Sequence, residues 1–296
     1  MLSGFIVLNK RRGISSQKAL SEVKYHLKRK GLCVEKIGHM GTLDPDADGV
    51  LVIALGRATR LFDYHLTEKK SYYSEFLFGI KTDTLDATGK ILELSNKIVT
   101  RNEIIQVLPS FTRSYNQIPP DFSAKSINGV KAYKLARDSV KFELNSKTIT
   151  VYSFDLLDKV FDTKNIYAFE IVCSPGTYVR SLARDMGEAL NTFAITRCIT
   201  RLASGRFKLV DSITIDEFVN SPDPLEHIIT LDKYVQSAFE TFKITQDSEK
   251  KILNGSPARF SVLPDSNCFA LYNNQQLIGL AMKDLNNYVK ITTWLI

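Results

Sequence analysis

Cysteine is sparse and scattered in this 296-residue chain: Cys33, Cys173, Cys198 and Cys268 lie far apart and form no Cys-x-x-Cys pair. That arrangement excludes a zinc ribbon and a disulfide framework, and it fits reduced thiols in a cytosol. Long apolar runs are missing as well. The longest strongly apolar one, Val50–Leu55, is far shorter than the roughly 20 residues that span a bilayer. Near the N-terminus the apolar Phe5–Leu8 precedes the cations Lys10, Arg11 and Arg12, the reverse of the order in a secretory signal. Neither an internal repeat nor a low-complexity tract is present, which argues against solenoids and arrays. The expectation is a soluble, cytoplasmic, globular protein.

Hydrophobic residues at 44% and charged residues at 24% are ordinary for a folded chain, and this length can bury one large domain or two unequal ones. The formal charge is +7. Residues 1–70 carry 13 Lys/Arg against 7 Asp/Glu, so nearly all of the positive surplus sits in the first quarter. Counterion release would draw a polyanion there, although charge alone is equally satisfied by a solvated basic face.

Local patterns predict the elements. Gly4–Asn9 reads as a short buried strand, and Ser15 or Ser16 caps a helix with Leu20, Val23 and Leu27 on one face, stopped by Gly31. A buried strand over Val50–Leu55, a helix over about 58–66 and an aromatic-rich strand over Tyr72–Ile80 follow. Thr100-Arg-Asn-Glu103 is a capping box whose helix should end before Pro109. Strands are expected over Thr148–Phe154, Ile166–Cys173, Cys198–Leu202 and Phe207–Val210, with a helix over Tyr178–Leu190. Residues 211–242 carry helix signals and few strand signals. A short helix ending at Gly255 comes next, then strands over Cys268–Leu271, Leu277–Ala281 and Tyr288–Trp294 around turns such as Asn273-Asn274. Strands and helices interleave without a regular β-α-β beat, so the fold class is α+β, with a mixed, mainly antiparallel central sheet and flanking helices. Residues 1–242 read as one domain and 243–296 as a small β-rich one.

The chemistry concentrates in Gly38-His39-Met40-Gly41-Thr42-Leu43-Asp44-Pro45-Asp46-Ala47-Asp48-Gly49. Glycine permits positive φ and close ligand approach, and Pro45 fixes φ just after Asp44. A carboxylate on so constrained a loop, anchored by an apolar strand, suits preorganised work. Asp44-x-Asp46-x-Asp48-Gly49 also matches the front half of a calcium-binding loop. The twelfth position, which should be a bidentate Glu, is Leu55, and a β-like run follows instead of a helix, so calcium is discounted.

The run from Gly38 to Leu51, followed by Leu55-Gly56-x-Ala58-Thr59, resembles the catalytic motif of the TruB family of tRNA pseudouridine synthases. Further stretches resemble the same family in the same order. They are Phe5–Gly13 with Lys10, Lys70-Ser71-Tyr72, Thr82-Asp83-Thr84-x-Asp86-x-x-Gly89, Gln117–Pro120 with Phe122-Ser-Ala124, Gly129–Arg137, Gly176-Thr-Tyr178-Val-Arg180 and Arg201-Leu202. The resemblance covers about residues 5–210. It implies a pseudouridine synthase fold with a small C-terminal domain resembling the PUA-like appendage in length and strand content. The implied activity is isomerisation of uridine 55 in the T loop of elongator tRNAs. It makes Asp44 the catalytic aspartate, Tyr72 the tyrosine that stacks on the base and accepts a proton, and Arg180 the partner of the aspartate. His39, Tyr178, Leu202 and Lys10 become candidate substrate contacts.

The residue types suit that chemistry. Isomerisation breaks N1–C1′ and joins C5 to C1′ without losing the base, so no cofactor, metal or water is required. An ionised carboxylate can form an adduct or stabilise an oxocarbenium-like sugar. Burial would raise its pKa, and a guanidinium opposes that through bidentate, charge-assisted hydrogen bonds. The expected partner is tRNA, bound by a monomer. The alternatives are a tRNA-folding factor without catalysis and a guide-RNA-dependent synthase. Asp46 and Asp48 add charge beside Asp44 that would raise its pKa unless they face solvent or pair with cations such as Arg57 or Arg60.

Overall fold

In a computed structural model of the chain, the described residues are 2–296 apart from 124, 128, 139, 141, 255, 257, 274 and 275. Ala124, Gly255 and Asn274 of the sequence patterns therefore lie outside the described residues.

Eleven described strands form the central sheet. Eight make its main path: β1 (Gly4–Lys10), β2 (Asp48–Leu55), β3 (Lys70–Phe78), β4 (Ser114–Gln117), β5 (Lys147–Leu156), β6 (Ile166–Cys173), β7 (Ala194–Ser204) and β8 (Ile213–Thr214), in the spatial order β8-β1-β2-β7-β3-β6-β5-β4. The β1–β8 and β2–β7 pairs are parallel and the others antiparallel, so the sheet is mixed and mainly antiparallel. The β2–β7 seam decides where the site lies. It is short, pairing Thr200 with Asp48 and Arg201 with Gly49. Gly49 has φ +100°, and a Cβ there would stand 2.4 Å from the Arg201 carbonyl oxygen, so only glycine lets these two strands close.

Three helices matter to the site. α1 (Ser16–Arg29) is capped by Ser15, whose hydroxyl accepts from the Lys18 amide, and it buries Ala19, Leu20, Val23 and Leu27. α2 (Arg101–Phe111) opens on the capping box, with both of its arms formed. It does not stop before Pro109. In the last turn the proline removes one backbone bond, while Phe111 is buried in the core and the Thr112 amide still reaches the Leu108 carbonyl. α3 (Val179–Ala189) is capped by Tyr178 and carries Arg180 in its first turn.

Other differences follow from glycine and from local hydrogen bonding. The expected helix at 58–66 is a 3-10 turn, Gly56–Leu61, running into a short α-helix, Phe62–Leu66. Gly79, at φ +90°, ends β3 at Phe78, and Ile80–Thr82 then pairs with Ile91–Leu94. β7 is one continuous eleven-residue strand beginning before the expected Cys198. The strand at Phe207 is two residues long, and a 3-10 turn, Leu209–Asp211, replaces its end.

A second, five-stranded sheet runs Thr241–Ile244, Cys268–Asn273, Gln276–Lys283, Tyr288–Trp294, Ala258–Arg259 in spatial order. Its first strand is absent from the expected set and begins at Thr241. Alternation along β1 divides the core: Ile6 and Leu8 pack with α1 and α3, whereas Phe5 and Val7 face Tyr234, Tyr272, Leu280 and Leu295.

Candidate active site

The Asp44 loop runs between a short strand, Ile37–His39, and β2, and it is pinned from several sides. The buried Ser16 hydroxyl accepts from the Leu43 amide at 2.8 Å and donates to the Leu43 carbonyl at 2.7 Å. The Gly13 amide donates to the Pro45 carbonyl at 2.8 Å. Lys10 is fully buried, and its ammonium donates to the carbonyls of Arg11 (3.0 Å), Ile14 (2.9 Å) and Pro45 (3.3 Å). Burial pulls its pKa down to about 8, against the opposing pull of Asp48 and Asp44. Arg201 on β7 donates from Nε to the Val50 carbonyl (2.7 Å), from Nη1 to Thr42 (3.1 Å) and from Nη2 to Gly41 (3.2 Å). Main-chain carbonyls that a tight loop cannot pair internally are thus met by buried cations.

These braces leave the Asp44 carboxylate at the edge of a cavity of about 360 Å³, lined by Asp44, Tyr72, Tyr178, Arg180, Ile199 and Arg201 among others. The Asp44 side chain is 40% exposed while its partner Arg180 is 5% exposed, and their Oδ2 and Nη2 atoms are 2.7 Å apart. The pair therefore keeps its cation in the wall and its anion open to a ligand. Arg180 also donates from Nη1 to the Thr84 carbonyl (2.9 Å) and from Nη2 to that of Phe122 (3.0 Å), with Asp86 Oδ2 at 3.8 Å from Nη1. Buried Gln117 clamps the start of α3, accepting from the Tyr178 amide at 2.8 Å and donating to its carbonyl at 3.2 Å. Burial pushes the Tyr72 phenol up, with Arg201 opposing, and it pushes Tyr178 up too, so both stand as neutral phenols.

Asp44, Tyr72, Arg180 and Tyr178 are thus brought together from three separate stretches of sequence. Three other predicted residues are not in the cavity wall. Lys10, proposed as a substrate contact, spends its three donors on carbonyls and braces the loop from behind. Leu202 is the residue at a bulge between Arg201 and Ala203, and the apolar side chain that β7 gives the cavity is Ile199, on the same strand face as Arg201. His39 lies on the short strand opposite Ile53; its buried Nδ1 has no partner among the described residues, and burial lowers its pKa. Arg201, Gln117, Ser16 and Ile199 escaped the sequence reading as functional residues. Arg201 and Gln117 carried a signal, as members of the Arg-Leu pair and of the Gln117–Pro120 stretch.

The neighbouring aspartates resolve differently from expectation. Asp48 pairs with Arg12 (3.2 Å). Arg57 and Arg60 instead donate to the carbonyls of Leu295 (3.4 Å) and Trp294 (2.6 Å) in the second sheet. Burial raises the Asp46 pKa, Arg12 opposes, and Asp86 and Asp48 add to the rise. With Asp44 on Arg180 and Asp48 on Arg12, the loop's carboxylates point to different cations; among the described residues no three His, Cys, Asp or Glu side chains cluster as metal ligands. Nor is any described helix long and apolar enough to cross a membrane. A larger groove of about 810 Å³, with Asp211, Glu217 and Glu226 in its wall, holds none of the predicted residues.

Comparison with known proteins adds identity to this geometry. The family described as TruB family pseudouridylate synthase (N terminal domain) matches residues 29–179. A tRNA pseudouridine synthase B from Clostridium kluyveri is 37% identical over 254 residues, 86% of this chain and 84% of that protein. One of the same name from Lactobacillus acidophilus is 36% identical over 290 residues, 96% and 95% of the two chains. Among solved structures, a chain of a Cbf5–Nop10–Gar1 complex superposes with TM-score 0.71 at 22% identity, covering 99% of this chain and 85% of that one. A chain of an H/ACA ribonucleoprotein bound to a substrate RNA containing 2′-deoxyuridine superposes at 0.70 and 21%, with the same coverage. At that identity the two superpositions speak for the fold alone.

Proposed function

Because this chain belongs to the TruB family of pseudouridine synthases, we propose that its target is uridine 55 in the T loop of elongator tRNAs, with Asp44 as the catalytic carboxylate. It is an isomerase that converts uridine in tRNA to pseudouridine. The finer reading rests on one observation: the 2.7 Å Asp44–Arg180 pair at the rim of a cavity walled by Tyr72 and Tyr178. A uridine stacked in its loop cannot present C1′ to the carboxylate while its base occupies the cavity beside Tyr72, so the nucleotide must be everted. Arg180 holds the Asp44 carboxylate in place by a charge-assisted hydrogen bond, which positions Asp44 to attack or to stabilise positive charge on the sugar. Tyr72, held neutral, offers a ring on which the uracil stacks, worth on the order of 1–3 kcal/mol. Since one base leaves and rejoins the same sugar, the cavity must retain the freed uracil. A walled site of this volume suits that. His39 is assigned contacts with RNA around the everted nucleotide, outside the cavity, and the protein is assigned to the cytoplasm.

The test is chemical mapping of pseudouridine in unmodified tRNA incubated with the full chain. Wild type should modify position 55, and Asp44→Asn should reduce the rate by at least about 10⁴-fold, a modest part of the total acceleration enzymes reach. Undiminished product from Asp44→Asn, or none at position 55 from wild type, would overturn the reading.

A further inference from the structure

Two buried lysines flank the site, and they differ in what their ammonium groups have left to give. Lys10 places its N–H donors on three main-chain carbonyls and lies outside the cavity lining. Lys70, 6% exposed, lines the same cavity as Asp44, Tyr72 and Arg180. It stands two residues from Tyr72 on β3, so the two side chains share a sheet face. Both of its hydrogen bonds go to one residue: His65 Nε2 at 3.2 Å and the His65 carbonyl at 3.2 Å. An ammonium has three donors, so one is uncommitted among the described residues. A buried ammonium facing a cavity with a spare donor is costly unless a ligand completes it.

His65 is built to hold that lysine. It is 1% exposed; its Nδ1 lies 2.9 Å from Glu68 Oε2, and its Nε2 is 2.9 Å from the Ser204 hydroxyl. Burial lowers the His65 pKa, with Glu68 opposing, so the ring is neutral. Nδ1 lies close to Glu68 without hydrogen-bond geometry, and with the ring proton on Nδ1 the Nε2 lone pair is an acceptor shared by the Ser204 hydroxyl and Lys70. The other groups facing the ammonium are Arg201 on β7 and the Cys173 thiol, cross-strand from Lys70 on β6. Burial pushes that thiol up to about 12, so it is neutral.

We propose that Lys70 binds the target uracil through its free N–H and stabilises the negative charge that gathers on the base as N1–C1′ opens, with His65 as its positioning residue. This rests on the reading of the cavity as the uridine site. When N1–C1′ breaks, both bonding electrons stay with the uracil, and their charge spreads to O2 and O4, which are hydrogen-bond acceptors. When C5 gives its electron pair to C1′, bond formation itself returns the ring to neutrality; the C5 proton then leaves and one is gained at N1, so the product is an isomer. A fixed cation in a water-poor wall is worth most while the charge is present and least in the neutral substrate and product, the pattern that accelerates a reaction. Burial, with Arg201 adding, lowers the Lys70 pKa to about 8, against Glu68 and Cys173. The ammonium is therefore present below about pH 8 and lost above it, and the rate should decline over that range.

The experiment is single-turnover conversion of unmodified tRNA by the full chain, run against pH, with tRNA affinity measured on the same preparations. Lys70→Met should slow conversion about 100-fold with tRNA affinity within threefold of wild type. Lys70→Arg, which keeps a cation that does not titrate, should recover at least tenfold of that loss and abolish the alkaline decline. The inference is overturned if Lys70→Met converts within threefold of wild type, or if its affinity falls as much as its rate. It is equally overturned if Lys70→Arg does no better than Met or keeps the wild-type alkaline limb. Should Lys70→Met not fold, the wild-type and Lys70→Arg pH profiles decide alone. Wild type and Asp44→Asn are run alongside; a wild type inactive on uridine 55 removes the functional reading, and this inference with it.

Discussion

Around Asp44 the main chain is held by buried cations, whereas along the seam with the C-terminal sheet an apolar cluster forms the centre, with polar contacts such as Tyr272 to Asp232 and Tyr64 to Thr292 beside it. Lys10 and Arg201 between them make six hydrogen bonds to backbone carbonyls, in or beside the loop, and Arg180 joins the carboxylate to the carbonyls of Thr84 and Phe122. The seam instead stacks Phe5, Phe207 and Tyr234 against Tyr272, Leu280 and Leu295, with Arg57 and Arg60 at its rim. Directional bonds fix position to fractions of an ångström and tolerate little change. Apolar contact supplies stability with little demand on direction.

Changes on the two sides should therefore fail in different ways. Arg201→Met is expected to act most strongly, because it strands the carbonyls of Gly41, Thr42 and Val50. Urea unfolding should show a loss of about 4 kcal/mol, with turnover of the folded fraction also reduced. A loss below about 1 kcal/mol would mean that the loop is held without it. Leu280→Ala, at a fully buried seam position, should cost about 3 kcal/mol in the same measurement and leave turnover at low temperature unchanged. A change in turnover there would break the proposed separation of roles. Arg60→Ala removes a partly exposed bond to the Trp294 carbonyl and should cost about 0.5 kcal/mol or less, with no effect on turnover. A larger cost would mean that the rim, and not the apolar seam, holds the second sheet.

The structure brings Asp44, Tyr72 and Arg180 to one cavity, and the three were legible as candidates because each lies in a local motif pattern. The same holds for the capping box at Thr100–Glu103 and the apolar run of β2, whose causes lie within a few residues. Leu202 came from the family resemblance, whereas Ile199, which shares the strand face of Arg201, is the apolar residue of β7 that lines the cavity. Pro109 was read as a stop, yet burial of Phe111 outweighs one lost bond in a final turn. Arg57 and Arg60 looked like partners for the aspartates because they are near in sequence, but the chain carries them to the second sheet and brings Arg12 back to Asp48.

By itself the sequence determined most of the element types and the alternation that divides β1 between two cores, and it singled out Asp44 as the candidate carboxylate. Each of these depends on neighbours within about a turn or a strand. Tertiary structure alone decided that Lys10 braces a loop while Lys70 faces the cavity, and that Arg201 is as central to the loop as Arg180 is to the carboxylate. A buried cation takes its role from the acceptors that distant segments bring to it, and no local pattern encodes those acceptors.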